Sequence, residues 1–357
     1  MGWMKKMKLL ITGGAGFIGS TLCRYLVQQV GCEVINLDKL TYAADLRSLA
    51  VLEGNPAYRF VQGDILDAQL VASILREFQP QGIINLAAET HVDRSIEGAT
   101  SFIQTNILGT FNLLQQARAF WDGLSKDDKS EFRFLHVSTD EVFGSLGQTG
   151  YFEETSRYAP TSPYSASKAS SDHLVQAWYH TFGLPTLISN CSNNYGPYQF
   201  PEKLIPLMII KGMQDQPLPV YGDGQQIRDW LHVQDHVEAL YRIFTKGRIG
   251  QSYLVGGHNE QSNLSIVRAI CERLDHYRPE GSASKQALIQ FVQDRPGHDR
   301  RYAVNASLIA HDLGWKPRLN FTEGLAATID WYISNQDWWQ PLIDKSYDGR
   351  RLGLITG

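Results

Sequence analysis

Short apolar runs alternate with longer amphipathic stretches along the first half of the chain. The apolar runs lie at residues 8–12, 33–37, 58–62, 82–87 and 132–138. The stretches with a helical pattern lie at residues 17–30, 69–78, 101–119 and 165–182. Strands that alternate with helices predict a parallel sheet with helices on both faces. The run at 132–138 is apolar throughout, which is typical of a strand buried inside such a sheet.

The second half of the chain has a more broken pattern. Five prolines interrupt its short elements, at positions 197, 201, 206, 217 and 219. Proline ends helices and is excluded from central strands, so this half predicts a smaller lobe rich in loops. We expect one domain over residues 7–190 plus roughly 229–248. The second domain is expected over residues 191–228 plus 249–340.

Composition and charge exclude several classes of protein. Of the 357 residues, 43% are hydrophobic and 20% are charged, as in ordinary globular proteins. The net charge of −4 includes no long basic block, so nucleic-acid binding has no electrostatic support. The sequence contains no run of 18 apolar residues, so we expect no membrane span. The four cysteines form no C-x-x-C pair, so we expect no zinc site, and a reducing cytoplasm fits.

The first predicted strand leads into a glycine-rich turn. Gly13, Gly16 and Gly19 stand between this strand and the next helix, in T-G-G-A-G-F-I-G. This arrangement suits a pyrophosphate on the helix N-terminus, although a glycine triplet alone also fits an ordinary tight turn. Asp38 ends the second strand, where an acid binds a ribose 2′-hydroxyl and repels a 2′-phosphate. The context predicts a Rossmann-type, doubly wound α/β domain that binds NAD.

Three polar residues end the buried run at 132–138. They are Thr139, Asp140 and Glu141. Ligands of open α/β sheets bind beyond the carboxyl ends of the strands, so we expect these side chains to meet the substrate. Adjacent carboxylates push their pKa values apart, which allows one to act as acid and the other as base.

Tyr164 and Lys168 stand four residues apart at the start of a predicted helix. This spacing places both side chains on one helix face. A nearby ammonium lowers the pKa of a tyrosine, which makes the phenolate accessible as a base. Taken alone, the pair fits a surface contact equally well. Together with Thr139 and the glycine turn, it indicates oxidation of an alcohol.

Several segments together resemble the extended short-chain dehydrogenase/reductases. They are T-G-G-A-G-F-I-G, A-A-E-T-H-V-D-R-S, S-T-D-E-V-F-G, Y-S-A-S-K and C-S-N-N-Y-G-P-Y-Q-F-P-E-K-L. Within this superfamily the chain is most similar to the dTDP-glucose 4,6-dehydratases, from about residue 7 to about residue 339. The specific part is Asp140-Glu141, which related 4-epimerases lack.

The resemblance implies a reaction and a role for each residue. Tyr164, assisted by Lys168, takes the proton of the sugar 4-hydroxyl, which Thr139 holds while C4 is oxidised. Glu141 then removes the C5 proton and Asp140 protonates the departing 6-hydroxyl. The implied cofactor is NAD, which stays bound, and the implied substrate is dTDP-glucose. No metal is implied.

The resemblance also implies two sets of binding residues. The cofactor set is Gly13, Gly16, Phe17, Ile18, Gly19, Asp38, Lys39, Leu40, Thr41, Asp64, Ile65, Leu86, Ala87, Ala88, Glu89, Thr105, Tyr164, Lys168 and Asn194. The substrate set is Thr90, Thr139, Asn193, Lys203, Leu204, Pro219, Val220, Tyr221, Arg228, Asn263, Asp294, Arg295, Pro296, Gly297 and His298. Arg228 and Arg295 suit a diphosphate, because guanidinium groups bind phosphate oxygens in pairs.

Other readings remain open at this stage. A related dehydratase of another nucleotide, such as UDP-glucose, fits the same residues, and so does a 4-epimerase if the two carboxylates play no part. A non-catalytic NAD-binding regulator would need none of Thr139, Tyr164 and Lys168. The family further implies a cytoplasmic homodimer joined by a four-helix bundle. Phe143 and Asn190 depart from the usual tyrosine and arginine, with effects that the sequence leaves open.

Overall fold

A computed structural model describes residues 6–346. The strands are β1 (Lys8–Thr12), β2 (Glu33–Asp38), β3 (Tyr58–Gln62), β4 (Gly82–Asn85), β5 (Arg133–Thr139), β6 (Thr186–Cys191), β7 (Asn193–Tyr195), β8 (Leu218–Tyr221), β9 (Ile227–His232), β10 (Ser252–Val255), β11 (Glu260–Ser262) and β12 (Ile289–Val292). The helices are α1 (Phe17–Arg24), α2 (Ala68–Phe78), α3 (Val92–Glu97), α4 (Thr100–Phe102), α5 (Thr110–Asp122), α6 (Lys126–Glu131), α7 (Pro163–Phe182), α8 (Leu204–Met213), α9 (Val233–Lys246), α10 (Asn263–Asp275), α11 (Ser307–Leu313), α12 (Phe321–Ser334) and α13 (Gln336–Ser346).

Seven parallel strands form the larger sheet, in the order β10-β6-β5-β4-β1-β2-β3. The order reverses beside β1, and helices cover both faces, so the predicted Rossmann-type fold is confirmed. β5 lies near the middle and is buried from its second residue onward, as its apolar sequence predicts. Its carboxyl end opens toward the crevice between β1 and β4.

The predicted elements and the observed ones differ mainly at their ends. The fourth strand stops at Asn85, two residues earlier than predicted, because the chain turns toward the glycine loop there. The predicted helix at 17–30 is continuous, but its second half, Tyr25–Val30, is a wider π-helical turn. A second π-helical segment, Ile103–Gly109, joins α4 to α5, so the helix predicted at 101–119 runs to Asp122.

Two smaller sheets belong to the second lobe. They have the strand orders β11-β9-β7 and β12-β8. Helices α8, α10 and α12 enclose an apolar core there, which includes Ile209, Ile270 and Trp339. β10 was not predicted as a strand; it lies at residues assigned by sequence to the second lobe, yet it pairs with β6 in the larger sheet. The predicted domain boundaries otherwise stay a prediction.

The described helices include none that is both long enough and apolar enough to cross a membrane.

Candidate active site

The glycine turn brings the backbone of β1 against that of β4. Gly13 has φ +73°, and a Cβ at this position would lie 2.6 Å from the Ala87 nitrogen. A Cβ on Gly19 would overlap the carbonyl oxygen of Gly13. Gly16 differs, because an added Cβ would meet only the Gly13 oxygen, at 3.4 Å. Gly13 and Gly19 are therefore needed for the shape of the turn, whereas Gly16 leaves open space beside it.

The same turn fits the diphosphate and ribose of NAD. Helix α1 starts after Gly16 without a side-chain cap, so its first N–H groups remain available to an anion. Asp38 ends β2, where its carboxylate accepts hydrogen bonds from the backbone of Ala15 at 2.9 Å and of Leu40 at 2.8 Å. These bonds fix the acid where a ribose hydroxyl would meet it. The residues present thus fit the cofactor.

A single cleft runs from the glycine turn to the end of β5. Of the residues predicted to form the site, catalytic or binding, it is lined by Gly13, Gly16, Phe17, Ile18, Gly19, Asp38, Lys39, Thr41, Asp64, Ile65, Leu86, Ala87, Ala88, Glu89, Thr90, Thr105, Thr139, Asp140, Glu141, Tyr164, Lys168, Asn193, Asn194 and Lys203. Leu40 adjoins the cleft through its bond to Asp38. The sequence missed several lining residues, among them Cys191, Gln199 and Glu202, although they lie within the quoted motifs.

The buried carboxyl group of Asp140 and the partly buried one of Glu141 meet at the end of β5. Burial raises the pKa of Asp140 well above its usual value, and the charges of Glu141 and Asp229 raise it further. Burial also raises the pKa of Glu141, but Arg295, Arg228 and Lys203 oppose that rise. One Asp140 oxygen, Oδ2, is buried without a hydrogen-bond partner among the described residues. The site therefore keeps a proton on Asp140 more readily than on Glu141.

Tyr164 and Lys168 lie on the first turns of α7. The helix begins with a reciprocal capping box between Ser162 and Ser165, and Pro163 occupies its first position. Burial, and then the charge of Glu141, raise the pKa of Tyr164 well above 10. A phenolate here therefore needs neighbouring positive charge, from Lys168 and from an oxidised cofactor.

A buried polar network supports Lys168, and no pattern in the sequence predicted it. The Lys168 ammonium donates to the Val137 carbonyl at 2.8 Å and lies 3.3 Å from His136 Nε2. Burial lowers the pKa of Lys168 to about 8, while the carboxylate of Asp172 opposes this. Asp172 accepts hydrogen bonds at Oδ2 from Ser138, Tyr158 and Asn190, at 2.8, 2.9 and 3.1 Å.

The structure shows the contacts of Asn190 and Phe143, the two residues that depart from the family pattern. Asn190 belongs to the network just described, since its amide also donates to the Thr139 carbonyl at 3.2 Å. Phe143 stacks on Phe152 and meets Tyr158 edge to face, with ring centroids 5.2 and 5.1 Å apart. A phenylalanine at 143 thus packs in an apolar cluster and needs no hydroxyl.

Arg228 and Arg295 lie beside the carboxylates. Arg228 is buried in β9, stacks on the ring of Tyr302 and donates to the carbonyls of Ile227 and Asp299. Arg295 forms an ion pair of 2.8 Å with Asp93, whose side chain is 8% exposed. This pair joins α3 to a segment 202 residues away in the sequence.

Like the two arginines, the other predicted substrate residues lie outside the lining of the cleft, in the second lobe. Leu204 opens α8, Asn263 opens α10, and Pro219, Val220 and Tyr221 lie in β8. The segment with Asp294, Pro296, Gly297 and His298 follows β12; within it the His298 ring and the Asp294 carboxylate are 2.6 Å apart. The Tyr221 hydroxyl is 3.5 Å from Asp93, so β8 lies beside the Asp93–Arg295 ion pair.

Two of the histidines cap helices. His91 caps α3 by accepting from the Arg94 nitrogen. His232 caps α9, and the ring of the buried His236 lies 2.9 Å from the Asn194 amide oxygen. Among residues 6–346 no cluster of three or more histidines, cysteines or acids is arranged to hold a metal ion.

Comparison with known proteins agrees with the fold and the cleft. The family model described as GDP-mannose 4,6 dehydratase matches residues 10–328. The chain belongs to this family. A dTDP-glucose 4,6-dehydratase of Xanthomonas campestris pv. campestris (strain B100) is 56% identical over 348 residues, which cover 97% of this chain and 99% of the relative.

Solved structures of family relatives superpose closely. A dTDP-glucose 4,6-dehydratase of Streptomyces venezuelae, with NAD and TYD bound, is 43% identical with a TM-score of 0.86; the match covers 94% of this chain and 100% of that one. The UDP-glucose 4-epimerase of Thermus thermophilus, in complex with NAD, is 28% identical with a TM-score of 0.80, over 92% and 100% of the two chains. The sequence resemblance to the dTDP-glucose 4,6-dehydratases is thereby confirmed.

Proposed function

We propose that this protein is an NAD-dependent dTDP-glucose 4,6-dehydratase, which converts dTDP-glucose to dTDP-4-keto-6-deoxyglucose and water. The observation that carries the proposal is the pair of carboxyl groups, Asp140 and Glu141, which lie beside Tyr164 in one cleft and have unequal environments. A 4-epimerase needs the tyrosine alone. Elimination of water needs an acid and a base as well, and their pKa values must differ.

The side chains divide the reaction between them. Tyr164 takes the proton of the 4-hydroxyl, Lys168 stabilises the resulting charges, and Thr139 holds the hydroxyl. When bound, NAD⁺ would supply the hydride acceptor for C4 and, once reduced, the hydride donor for C6. The 4-ketone acidifies the C5 proton, which Glu141 removes while Asp140 protonates the 6-hydroxyl as it departs. Glu141 then returns its proton to C5.

The proposed binding sets follow from the cleft and the second lobe. The NAD set extends from Gly13 to Asn194 as predicted, with the diphosphate on α1 and a ribose on Asp38. Arg228 and Arg295 would neutralise the substrate diphosphate, and Tyr221 would contact its base. The preference for thymidine over uridine rests on the relatives, which is why the assay compares both nucleotides.

The activity is tested by incubating the purified protein with dTDP-glucose and, in parallel, UDP-glucose, followed by mass spectrometry. Loss of one water without added reductant is expected, faster with dTDP-glucose. Asp140→Asn and Glu141→Gln should slow water loss by about 10²- to 10⁴-fold while C4 oxidation persists. Glu53→Gln, at an exposed position, is the matched control.

Other products would identify the rivals. An unchanged mass with the galactose isomer would establish a 4-epimerase. Faster loss of water from UDP-glucose would establish a dehydratase of the other nucleotide. Binding of NAD with no turnover of either sugar nucleotide would point to a regulator.

We further propose a cytoplasmic homodimer joined by a four-helix bundle of the helices at 100–122 and 163–182 from each subunit. Ile103, Leu108 and Phe111 expose large apolar side chains on the first of these helices, and Phe111 meets Trp178 of the second. The four cysteines are free thiols, which suits a reducing compartment. Sedimentation should give a dimer that Leu108→Glu dissociates and Val51→Glu, at an exposed site elsewhere, leaves intact.

A further inference from the structure

This inference rests on the proposed dehydration, which leaves two side chains in a changed protonation state after each turnover. Tyr164 gains the proton of the 4-hydroxyl and keeps it, because C4 remains a ketone in the product. Asp140 loses a proton to the departing water. Glu141 returns the proton that it takes. The enzyme is ready for another substrate only when one proton has passed from Tyr164 to Asp140.

The hydroxyl of Thr139 contacts Asp140 and lines the same cleft as Tyr164. It donates to Asp140 Oδ1 at 3.3 Å and accepts from the Glu141 backbone nitrogen at 3.2 Å. A hydroxyl has one donor and two acceptor positions, so these two contacts leave one acceptor position free. That free position would accept from the Tyr164 phenol, while the donor position stays on Asp140.

Burial makes exchange with solvent a poor alternative route. The relative exposure is 1% for Asp140, 6% for Tyr164 and 8% for Thr139, before any ligand fills the cleft. Asp140 Oδ1 faces Thr139, and the buried Oδ2 has no hydrogen-bond partner among the described residues. The proton that Asp140 needs is therefore available most directly from Thr139.

We propose that Thr139 returns the proton from Tyr164 to Asp140 at the end of each turnover. The phenol O–H bond breaks and its proton passes to Thr139 Oγ1, whose own proton passes to Asp140 Oδ1. Tyr164 is left as a phenolate beside the Lys168 ammonium, Asp140 as a neutral acid and Thr139 unchanged. The number of protons in the site is conserved, and no proton need enter from water.

The test compares Thr139→Val with Thr139→Ser. Enzyme with bound NAD is mixed with excess dTDP-glucose, quenched at short times, and assayed for product per active site. A resting enzyme has equilibrated with solvent, so the valine variant should complete one turnover per site and then slow by at least about tenfold. Acetate or imidazole, as small proton carriers, should accelerate only the slow phase. The serine variant keeps the hydroxyl and should show no such burst.

Two results would overturn the proposal. Equal slowing of the first and later turnovers, without response to the carriers, would limit Thr139 to holding the substrate. Steady turnover by Thr139→Val at the wild-type rate would exclude any need for the hydroxyl. Thr139→Ala repeats the comparison if the valine variant does not retain NAD. If the wild-type enzyme releases no water from dTDP-glucose, the proposed function fails first, and the product assay reports that separately.

Discussion

The buried ammonium of Lys168 lies 3.3 Å from Nε2 of His136. Asp172 Oδ1 lies 3.5 Å from the same ring nitrogen. Burial and the Lys168 charge lower the pKa of His136 well below 6.5, so the ring is neutral. Cys191 is a further neighbour of Lys168, and burial raises the pKa of its thiol to about 12. The carboxylate of Asp172 is thus the negative charge that supports Lys168.

Asp172→Asn should move the alkaline limit of activity to lower pH. Asp172 raises the pKa of Lys168 against burial, so its neutralisation lowers that pKa from about 8. The ammonium exists below its pKa, so activity should decline earlier as the pH rises, and kcat/KM above pH 8 should fall severalfold. A kcat/KM profile measures this, with Asp122→Asn at an exposed site as control. Identical profiles would show that Asp172 acts only in packing.

Gly16→Ala should separate folding from cofactor binding. Its Cβ would enter the space kept for the diphosphate while meeting only the Gly13 oxygen. We expect thermal unfolding close to that of wild type but little NAD in the purified protein, measured by absorbance after denaturation. Gly19→Ala should instead cost stability, by about 1–3 kcal/mol, since its Cβ strikes backbone.

Gly98→Ala provides the control for this pair, because no atom lies within 4 Å of the added Cβ. It should keep both the stability and the NAD content of wild type. Full NAD occupancy in Gly16→Ala would mean that the diphosphate lies elsewhere.

Asp93→Asn should weaken substrate binding more than it slows turnover. Asp93 holds the partly buried guanidinium of Arg295, which we propose as a diphosphate ligand. Loss of this anchor should raise KM for dTDP-glucose by about ten- to a hundredfold, or 1.4–2.8 kcal/mol. The exposed pair Asp223–Arg300 supplies the control, since Asp223→Asn removes an ion pair worth little. A fall in kcat at constant KM would assign Arg295 to the chemical step.

His236 should make the fold sensitive to acid. Burial lowers its pKa to about 3, whereas an unfolded histidine titrates near 6.5. Below pH 6.5 the unfolded chain therefore binds a proton that the folded chain does not. The free energy of unfolding should fall by up to about 1.4 kcal/mol per pH unit from this group.

Buried acids such as Asp140 and Asp172 act in the opposite direction, because their pKa values are raised. The comparison of wild type with His236→Gln isolates the histidine. Denaturant unfolding between pH 7 and 5 should show a shallower loss of stability in the variant, while the exposed His311→Gln follows wild type. Parallel curves for all three proteins would contradict the assignment.

The sequence predicted features that depend on neighbours along the chain. The local pattern predicts both the glycine turn and the strand that ends at Thr139. The alternation of strands and helices further predicts a crevice at the carboxyl ends of the strands. β10 was not predicted, because its four residues show no clear hydrophobic period and because it becomes a strand by pairing with β6. The pairs Asp93–Arg295 and His136–Asp172 join positions remote in sequence. Single charges give no sign of their partners before the fold exists.

The chain returns to the larger sheet after it has begun the second lobe. β9 pairs with β7 and β11, but α9 and β10, which follow it, pack on or join the larger sheet. A chimera that borrows the sugar-nucleotide lobe of a relative must therefore exchange several separate segments and leave α9 and β10 in place. A gene cut after β6 would yield no self-sufficient cofactor-binding fragment, because the edge strand and a covering helix would be missing.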